Sequence, residues 1–253
     1  MDSRVVEPKD KELVTAVIPV YNEQKYVDVV LDLLAEVPHV SQIIVIDDGS
    51  TDKTAACVRQ RCACDERIQL IRLPQNKGKA TAMMLGIKAS FNDILLFLDG
   101  DLIDVYPEYV INLITPVIKE NCHMTLGIFE NGRLPTDLSH RFTPCLSGQR
   151  CLRWSHFHLA PGLGKTKWGI ETALSLYAWR QDYTVRKISW PGSTHVMRPE
   201  KMVGWEGYAS HIQMWFDIIV YLTRYILWSS LSTISFARPK DWLAELSLRS
   251  GDH

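Results

Sequence analysis

The chain has 253 residues, 46% of them hydrophobic and 23% charged, with a formal net charge of -1. Such a length can bury a full core, as one large α/β domain or two small ones. The near-neutral balance excludes an electrostatic case for nucleic acid as a partner, so an anionic ligand must be held by local basic groups or by a metal ion.

Met1 to Lys11 is polar and charged and reads as a loose lead-in without a secretory apolar region. The six cysteines (Cys57, Cys62, Cys64, Cys122, Cys145 and Cys151) lack CxxC spacing. They are expected to be reduced thiols of a cytoplasmic protein. Cys62-Ala63-Cys64 has no matching Cys or His pair nearby, which argues against zinc.

Leu13 to Val20 is predicted to be a buried strand stopped by Pro19. Tyr26, Val29, Val30, Leu33, Leu34 and Val37 follow at the spacing of one helix face. Gln42 to Ile46 forms the next predicted strand and ends in Asp47-Asp48-Gly49-Ser50-Thr51-Asp52. Ser50, Thr51 or Asp52 can cap a helix running to about Gln60. Ile68 to Leu73 is a third strand. After Gln75-Asn76-Lys77-Gly78 a helix puts Ala80, Met83, Met84 and Ile87 on one face.

The fourth strand, Ile94 to Leu98, runs into Asp99-Gly100-Asp101. Residues i and i+2 of a strand share a face about 6.6 Å apart, so the two carboxylates are expected to address one object together. They repel each other by roughly 1 kcal/mol in water at 4 Å, and a cation between them reverses that sign. Strand and helix alternate through the first part of the chain, which predicts right-handed crossovers and a parallel sheet covered on both faces. Ligands of such sheets bind at the carboxyl ends of the strands. All four predicted ends carry polar or special residues: Pro19 to Glu23, Asp47 to Asp52, Pro74 to Lys79 and Asp99 to Asp101.

Pro107 to Lys119 reads as a helix kinked or split by Pro116. His123 to Phe129 is an apolar strand. Gly132 to Ser147 reads as an irregular loop leading into Gly148-Gln149-Arg150. Ile170, Ala173, Leu174, Tyr177 and Ala178 mark a helix with Glu171 in its first turn; Val185 to Trp190 is a short strand, followed by a loop from Pro191 to Gly204. Ile212 to Ala237 is rich in Trp, Tyr, Ile and Leu but is interrupted by Asp217 and Arg224. Its uncharged remainder is too short to span a bilayer, so a packed or interfacial helix is expected.

Pro19-Val20-Tyr21-Asn22-Glu23, Ile46-Asp47-Asp48-Gly49-Ser50-Thr51-Asp52, Asn76-Lys77-Gly78-Lys79 and Asp99-Gly100-Asp101 stand in this order at the four strand ends. Each motif is weak alone, but the ordered set resembles glycosyltransferases of the large family 2 type. The resemblance is clear from Val14 to about Asp104 and fainter to about Gln213. It implies a GT-A fold: an α/β, Rossmann-like, mostly parallel sheet with helices on both faces, plus a C-terminal helical extension. The implied division is a glycosyltransferase domain over 12–205, with a nucleotide-sugar half to about 104 and an acceptor half beyond it, then a helical segment and tail over 206–253.

By that resemblance Pro19, Tyr21, Glu23, Asp47, Asp48, Lys79, Asp99 and Gly100 contact the nucleotide sugar. Either Asp47 or Asp48 accepts the base N–H, and Glu23 reaches the base or ribose. Lys79, just inside a helix N-terminus, suits a diphosphate because its charge adds to free backbone N–H groups. Ala80 stands where the family often has a second glycine, a mild departure. Asp99 and Asp101 become hard ligands for Mg2+ or Mn2+. Asp101 and Glu171 are the implied catalytic residues, with Glu171 binding sugar hydroxyls or acting as base. Ser147, Gly148, Gln149 and Arg150 resemble an acceptor loop. Thr194 to Pro199 resembles the His-containing loop of retaining glucosyl-phosphoglycerate and mannosylglycerate synthases, which makes His195 a third metal ligand, with His211 as the lesser candidate.

The resulting expectation is a metal-dependent transferase moving a hexose from a UDP- or GDP-sugar. Arg133, Arg141, Arg150, Arg153 and Lys165 suggest a small phosphorylated or carboxylated acceptor. The aromatic stretch Trp215 to Trp228 supports instead a polyprenyl-phosphate or other lipid-linked acceptor and peripheral membrane contact. A homo-oligomer is compatible with the sequence. An Asp-based phosphohydrolase fits poorly because Leu102 and Ile103 follow the acidic pair where a Thr-containing turn belongs. A non-catalytic nucleotide-binding protein fits poorly because the acidic pair and Lys79 are all present. A dinucleotide oxidoreductase lacks its G-x-G-x-x-G after the first strand.

Overall fold

The computed structural model describes residues 12–130, 147–160, 163 and 170–195, with only the backbone described for Glu130, Thr194 and His195. One seven-stranded sheet organises the chain: β1 (Val14–Val20), β2 (Val40–Asp47), β3 (Ile68–Arg72), β4 (Ile94–Phe97), β6 (Met124–Glu130), β7 (Arg150–Arg153) and β8 (Val185–Pro191). Their spatial order is β3-β2-β1-β4-β7-β6-β8. Two short strands, β5 (Leu102–Ile103) and β9 (Thr194–His195), form a separate antiparallel pair.

The apolar runs become strands because both faces of the sheet are covered. Ala16, Ile18, Ile43, Val45 and Leu96 pack into one core with α1 (Val27–Ala35), α2 (Thr54–Cys62) and α4 (Pro107–Lys119). Their sequence neighbours Val17, Ile44, Ile46, Leu95 and Phe97 face the other core, with α3 (Lys79–Ala89), α5 (Trp154–Phe157) and α6 (Ile170–Arg180). The period of two therefore divides one hydrophobic run between two layers. Each fully buried Val, Leu, Ile or Phe stabilises by roughly 1.5–3 kcal/mol relative to exposure.

The sheet is mostly parallel, as expected, while several details are corrected. The one antiparallel strand of this sheet is β7, between β4 and β6. Its residues Arg150-Cys151-Leu152-Arg153 carry too little apolar character to announce a central strand. Pro19 does not stop β1, which runs to Val20. Pairing with β4 ends at Val17↔Phe97, so Pro19 lies where that side of the ladder is already open. In and just after α1, Val30, Leu33, Leu34 and Val37 are buried as expected and are joined by Val27 and Leu31, while Val29 is 47% exposed. Helix α4 is continuous through Pro116, which sits in its last turn. Thr194-His195 is strand rather than loop.

The acidic pair also sits differently from the expected strand spacing. β4 ends at Phe97, so Asp99 and Asp101 occupy the turn that leads into β5. Among the described residues no helix is long and apolar enough to cross a membrane. The expected C-terminal segment over 206–253, the aromatic stretch within it, His211, Arg133, Arg141 and Lys165 lie outside the described residues.

Candidate active site

The parallel strands β1, β2 and β4 end at the same edge, and the loops after β1 and β2 are tied to one another by hydrogen bonds from backbone N–H groups to side-chain oxygens. Asn22 adopts a φ of 59°, a left-handed conformation that asparagine tolerates. Its N–H donates to Ser50 Oγ at 2.9 Å, and its Oδ1 accepts from the Thr51 N–H at 2.9 Å. The Glu23 N–H donates to Thr54 Oγ1, and the Gln24 N–H to Asp52 Oδ2. None of the three candidate caps stands at the N-cap of α2, which is Lys53 without a side-chain cap; Asp52 accepts from the Thr54 N–H at 2.9 Å. Ser50, Thr51 and Asp52 all bind the first loop.

Asp47 and Asp48 are buried, and each carboxylate shapes a loop. Asp47 accepts from the Ser50 N–H at 2.8 Å and pairs with Arg72 Nε at 3.2 Å. Asp48 accepts from two successive N–H groups, Lys77 at 2.7 Å and Gly78 at 2.8 Å. These bonds hold the turn that precedes α3. Gly49, with φ 75°, lies so close that a Cβ there would stand 2.6 Å from the carbonyl carbon of Gln75. Its absence of a side chain lets the two loops touch.

Lys79 opens helix α3, where a cation opposes the helix macrodipole. It is held there by two carboxylates: Nζ lies 2.6 Å from Asp99 Oδ1 and 2.8 Å from Glu171 Oε1. Burial alone would lower the lysine pKa, but the charges of Asp99 and Glu171 outweigh it and hold the ammonium above the ordinary lysine range. The other oxygen of Asp99 accepts from Gln149 Nε2 at 2.9 Å. Gly148 packs directly against the same carboxylate, since a Cβ at that position would stand 2.3 Å from Asp99 Oδ2.

The antiparallel strand β7 begins next to this carboxylate, and its lead-in is braced from behind. Ser147 Oγ donates to the Gly127 carbonyl at 2.6 Å. Arg150 is fully buried, and its guanidinium donates to the carbonyls of Ser147 and Glu171. That side chain ties the start of β7 to the first turn of α6, and so places Glu171 opposite Lys79. Pro19 is half-buried and Tyr21 is 44% exposed beside the first loop, Glu23 is nearly buried, and Asp101 is half-buried.

A family model for glycosyl transferase family 2 matches residues 15–168. The chain belongs to this family. Among curated relatives, a glucosyl-3-phosphoglycerate synthase of Mycolicibacterium smegmatis is 30% identical over 121 residues, covering 46% of this chain and 40% of that protein. An uncharacterized glycosyltransferase of Haemophilus influenzae is 34% identical over 90 residues, covering 35% and 36%. An undecaprenyl-phosphate 4-deoxy-4-formamido-L-arabinose transferase of Pectobacterium carotovorum is 34% identical over 98 residues, covering 37% and 30%. The matched part thus spans well under half of these relatives. The Mycobacterium tuberculosis glucosyl-3-phosphoglycerate synthase, solved with Mn2+, uridine diphosphate and phosphoglyceric acid, shares the fold. Its TM-score is 0.64 at 22% identity, over 83% of this chain and 77% of that one.

Within this family 2 framework the structure brings Lys79, Asp99, Gly148, Gln149 and Glu171 together, with Asp48 behind the Lys77–Gly78 turn. Asp101 stands at the entrance to β5, whose Leu102 pairs with His195 on β9, so the His195 backbone runs beside the acidic turn. Among the described side chains no three His, Cys, Asp or Glu form a ligand cluster. Mg2+ and Mn2+ do not require such a cluster, since they bind through one or two carboxylates plus water and substrate phosphates. Two links escaped sequence reasoning, namely the Lys79–Glu171 ion pair and the Gln149–Asp99 hydrogen bond. Both join residues far apart in the chain, and neither has a local spacing that could announce it.

Proposed function

We propose that the chain is a metal-dependent glycosyltransferase that moves a hexose from a UDP- or GDP-sugar to a small phosphorylated or carboxylated acceptor. The observation that carries this reading is Lys79 at the N-terminus of α3, paired with Asp99 and Glu171 at the carboxyl edge of the sheet. A diphosphate at that edge would meet the lysine charge and the positive end of the helix dipole. The loops bearing Tyr21, Glu23, Asp47 and Asp48 flank the same edge and form the base side. Asp99 and Asp101, with His195 as a third ligand, would hold Mg2+ or Mn2+. When bound, such an ion neutralises charge building on the departing diphosphate. Glu171, buried and anchored by Lys79, would orient sugar hydroxyls or accept a proton from the incoming nucleophile. Gly148 and Gln149 border Asp99 on the side where an acceptor would enter, with Ser147 and Arg150 bracing them.

The likeness to glucosyl-3-phosphoglycerate synthases supports the small anionic acceptor, and retention of the anomeric configuration belongs to the same reading. A cytoplasmic site of action also belongs to it. A second reading, a lipid-linked acceptor met at the membrane surface, is supported by the likeness to an undecaprenyl-phosphate transferase. Co-sedimentation with vesicles containing polyprenyl phosphate separates the two readings, since only the second expects binding.

The decisive test is a nucleotide-sugar panel scored by calorimetry with and without Mn2+. One UDP- or GDP-sugar should bind only with the metal, and Asp101→Ala should abolish that binding. Metal-dependent binding that survives in Asp101→Ala would overturn the assignment. NMR of the product anomeric centre tests retention, and an inverted product removes it.

A further inference from the structure

Asp99 is held on both sides. One oxygen faces the Lys79 ammonium at 2.6 Å, and the other accepts from the Gln149 amide at 2.9 Å. The two holders differ in kind. Gln149 immediately precedes β7, its Oε1 lies within hydrogen-bonding distance of Ser147 Oγ at 3.3 Å, and it is 1% exposed. Gly148 beside it presses its backbone against the carboxylate. That side is neutral and built into the sheet. Lys79 is a point charge on a four-carbon stem that can swing without moving the backbone. It is also shared, since Glu171 Oε1 lies 2.8 Å from the same ammonium and would retain it if Asp99 were given up.

We propose that Lys79 is a resident counter-cation that competes with a divalent ion for Asp99, and that a nucleotide diphosphate relieves the competition by drawing the ammonium away. This rests on the donor-site reading above and adds an order to it. An ammonium and a divalent ion next to one carboxylate repel each other in a site of reduced dielectric. The metal alone therefore binds weakly, and metal and nucleotide strengthen each other reciprocally. The consequence is economical chemistry: the site assembles around a donor and does not collect metal by itself.

The test is a titration of the full chain with Mn2+, following the free-ion signal by electron paramagnetic resonance, first with no nucleotide. Lys79→Gln should bind Mn2+ at least about tenfold more tightly than the native chain, a change of about 1.4 kcal/mol. Lys79→Arg, which keeps the charge, should stay as weak as the native chain. Equal or weaker Mn2+ binding by Lys79→Gln overturns the proposal, and so does a Lys79→Arg that tightens like the glutamine variant. UDP is then added to each. It should tighten Mn2+ binding strongly in the native chain and by a smaller factor in Lys79→Gln; an equal gain in both counts against the proposal. The metal-only arm makes no use of nucleotide. If it succeeds while no nucleotide or nucleotide sugar binds, the donor reading fails and the competition stands. Should Lys79→Gln fail to fold, the Lys79 Nζ resonance of the native chain decides. It should persist under Mg2+ alone and shift when UDP joins the metal; a shift under Mg2+ alone overturns the idea.

Discussion

The two edges of the sheet are both polar, but they solve opposite problems. At the amino edge buried neutral groups pair among themselves, beneath more exposed ion pairs such as Asp65–Arg67 and Arg153 with Glu12 and Asp93. Gln42, 1% exposed, accepts from Thr15 Oγ1 and from the Phe91 N–H, and donates to the Ala89 carbonyl. Asn92 donates to Thr15 Oγ1 and Ser41 Oγ. Further along, His123 stacks on Tyr183 at 4.4 Å between ring centroids and lies 4.9 Å from His156. At the carboxyl edge the groups are charged. Asp48 binds the backbone that leads into α3, and Lys79 stands where the helix dipole disfavours it, held by Asp99 and Glu171. Neutral amides satisfied within the fold add stability and little else. Charges held against a local preference mark the edge where chemistry is intended.

Three substitutions sharpen that contrast. The largest effect is expected from Gly148→Val, whose side chain would enter the space of the Asp99 carboxylate. Overpacking of this kind costs about 1–3 kcal/mol. Because it displaces the central carboxylate, metal-dependent UDP binding should weaken by about tenfold or more in calorimetry. An affinity equal to the native value would show that Asp99 has no part in the donor site.

Gln42→Leu acts at the other edge. It leaves the Thr15 hydroxyl, the Phe91 N–H and the Ala89 carbonyl short of a partner, at a cost of about 2 kcal/mol. For a chain of this size that lowers the melting temperature by roughly 4–8 °C. UDP affinity measured well below the melting temperature should not change. If it falls with stability, the two edges are not independent.

The smallest effect concerns pH. Burial and the neighbouring His156 push the His123 pKa below its ordinary value, and its Nδ1 accepts from the Thr184 N–H at 3.1 Å. Protonation would turn that acceptor into a donor and break the bond. The unfolded chain therefore binds the proton more readily, and stability rises with pH across this titration. The contribution is fully present above the ordinary histidine value near 6.5 and is lost as pH falls through the lower folded value. Melting curves from pH 8 downward should show this loss, and His123→Phe should flatten it. An unchanged pH slope in that variant would assign the loss to other groups.

Much of this contrast was readable in advance, and the reasons differ by element. The strands β1, β2 and β4 announced themselves because burial on both faces demands continuous apolar runs. The loops after them were readable because glycine, aspartate and lysine at strand ends are poor core residues. Strand β7 was missed because its two arginines conceal a short central strand, and one of them, Arg150, is buried by donating to carbonyls of Ser147 and Glu171. On α1 one residue of the expected face was misplaced, Val29, because Val27, Val29, Val30 and Leu31 are all apolar and periodicity alone does not choose among them. Pro116 was expected to kink or split α4, but the helix runs through it to Lys119.

By itself the sequence determined that an alternating α/β chain would end four strands in ligand-type residues, because hydrophobic period and turn chemistry are local properties. Only the tertiary structure decided how those residues are engaged. It bound Asp48 to the Lys77–Gly78 backbone, placed Lys79 between Asp99 and Glu171, and set Gln149 and Gly148 against the far side of Asp99. Those contacts join segments separated by up to about ninety residues, and electrostatics over a few ångströms depends on how the sheet is wound.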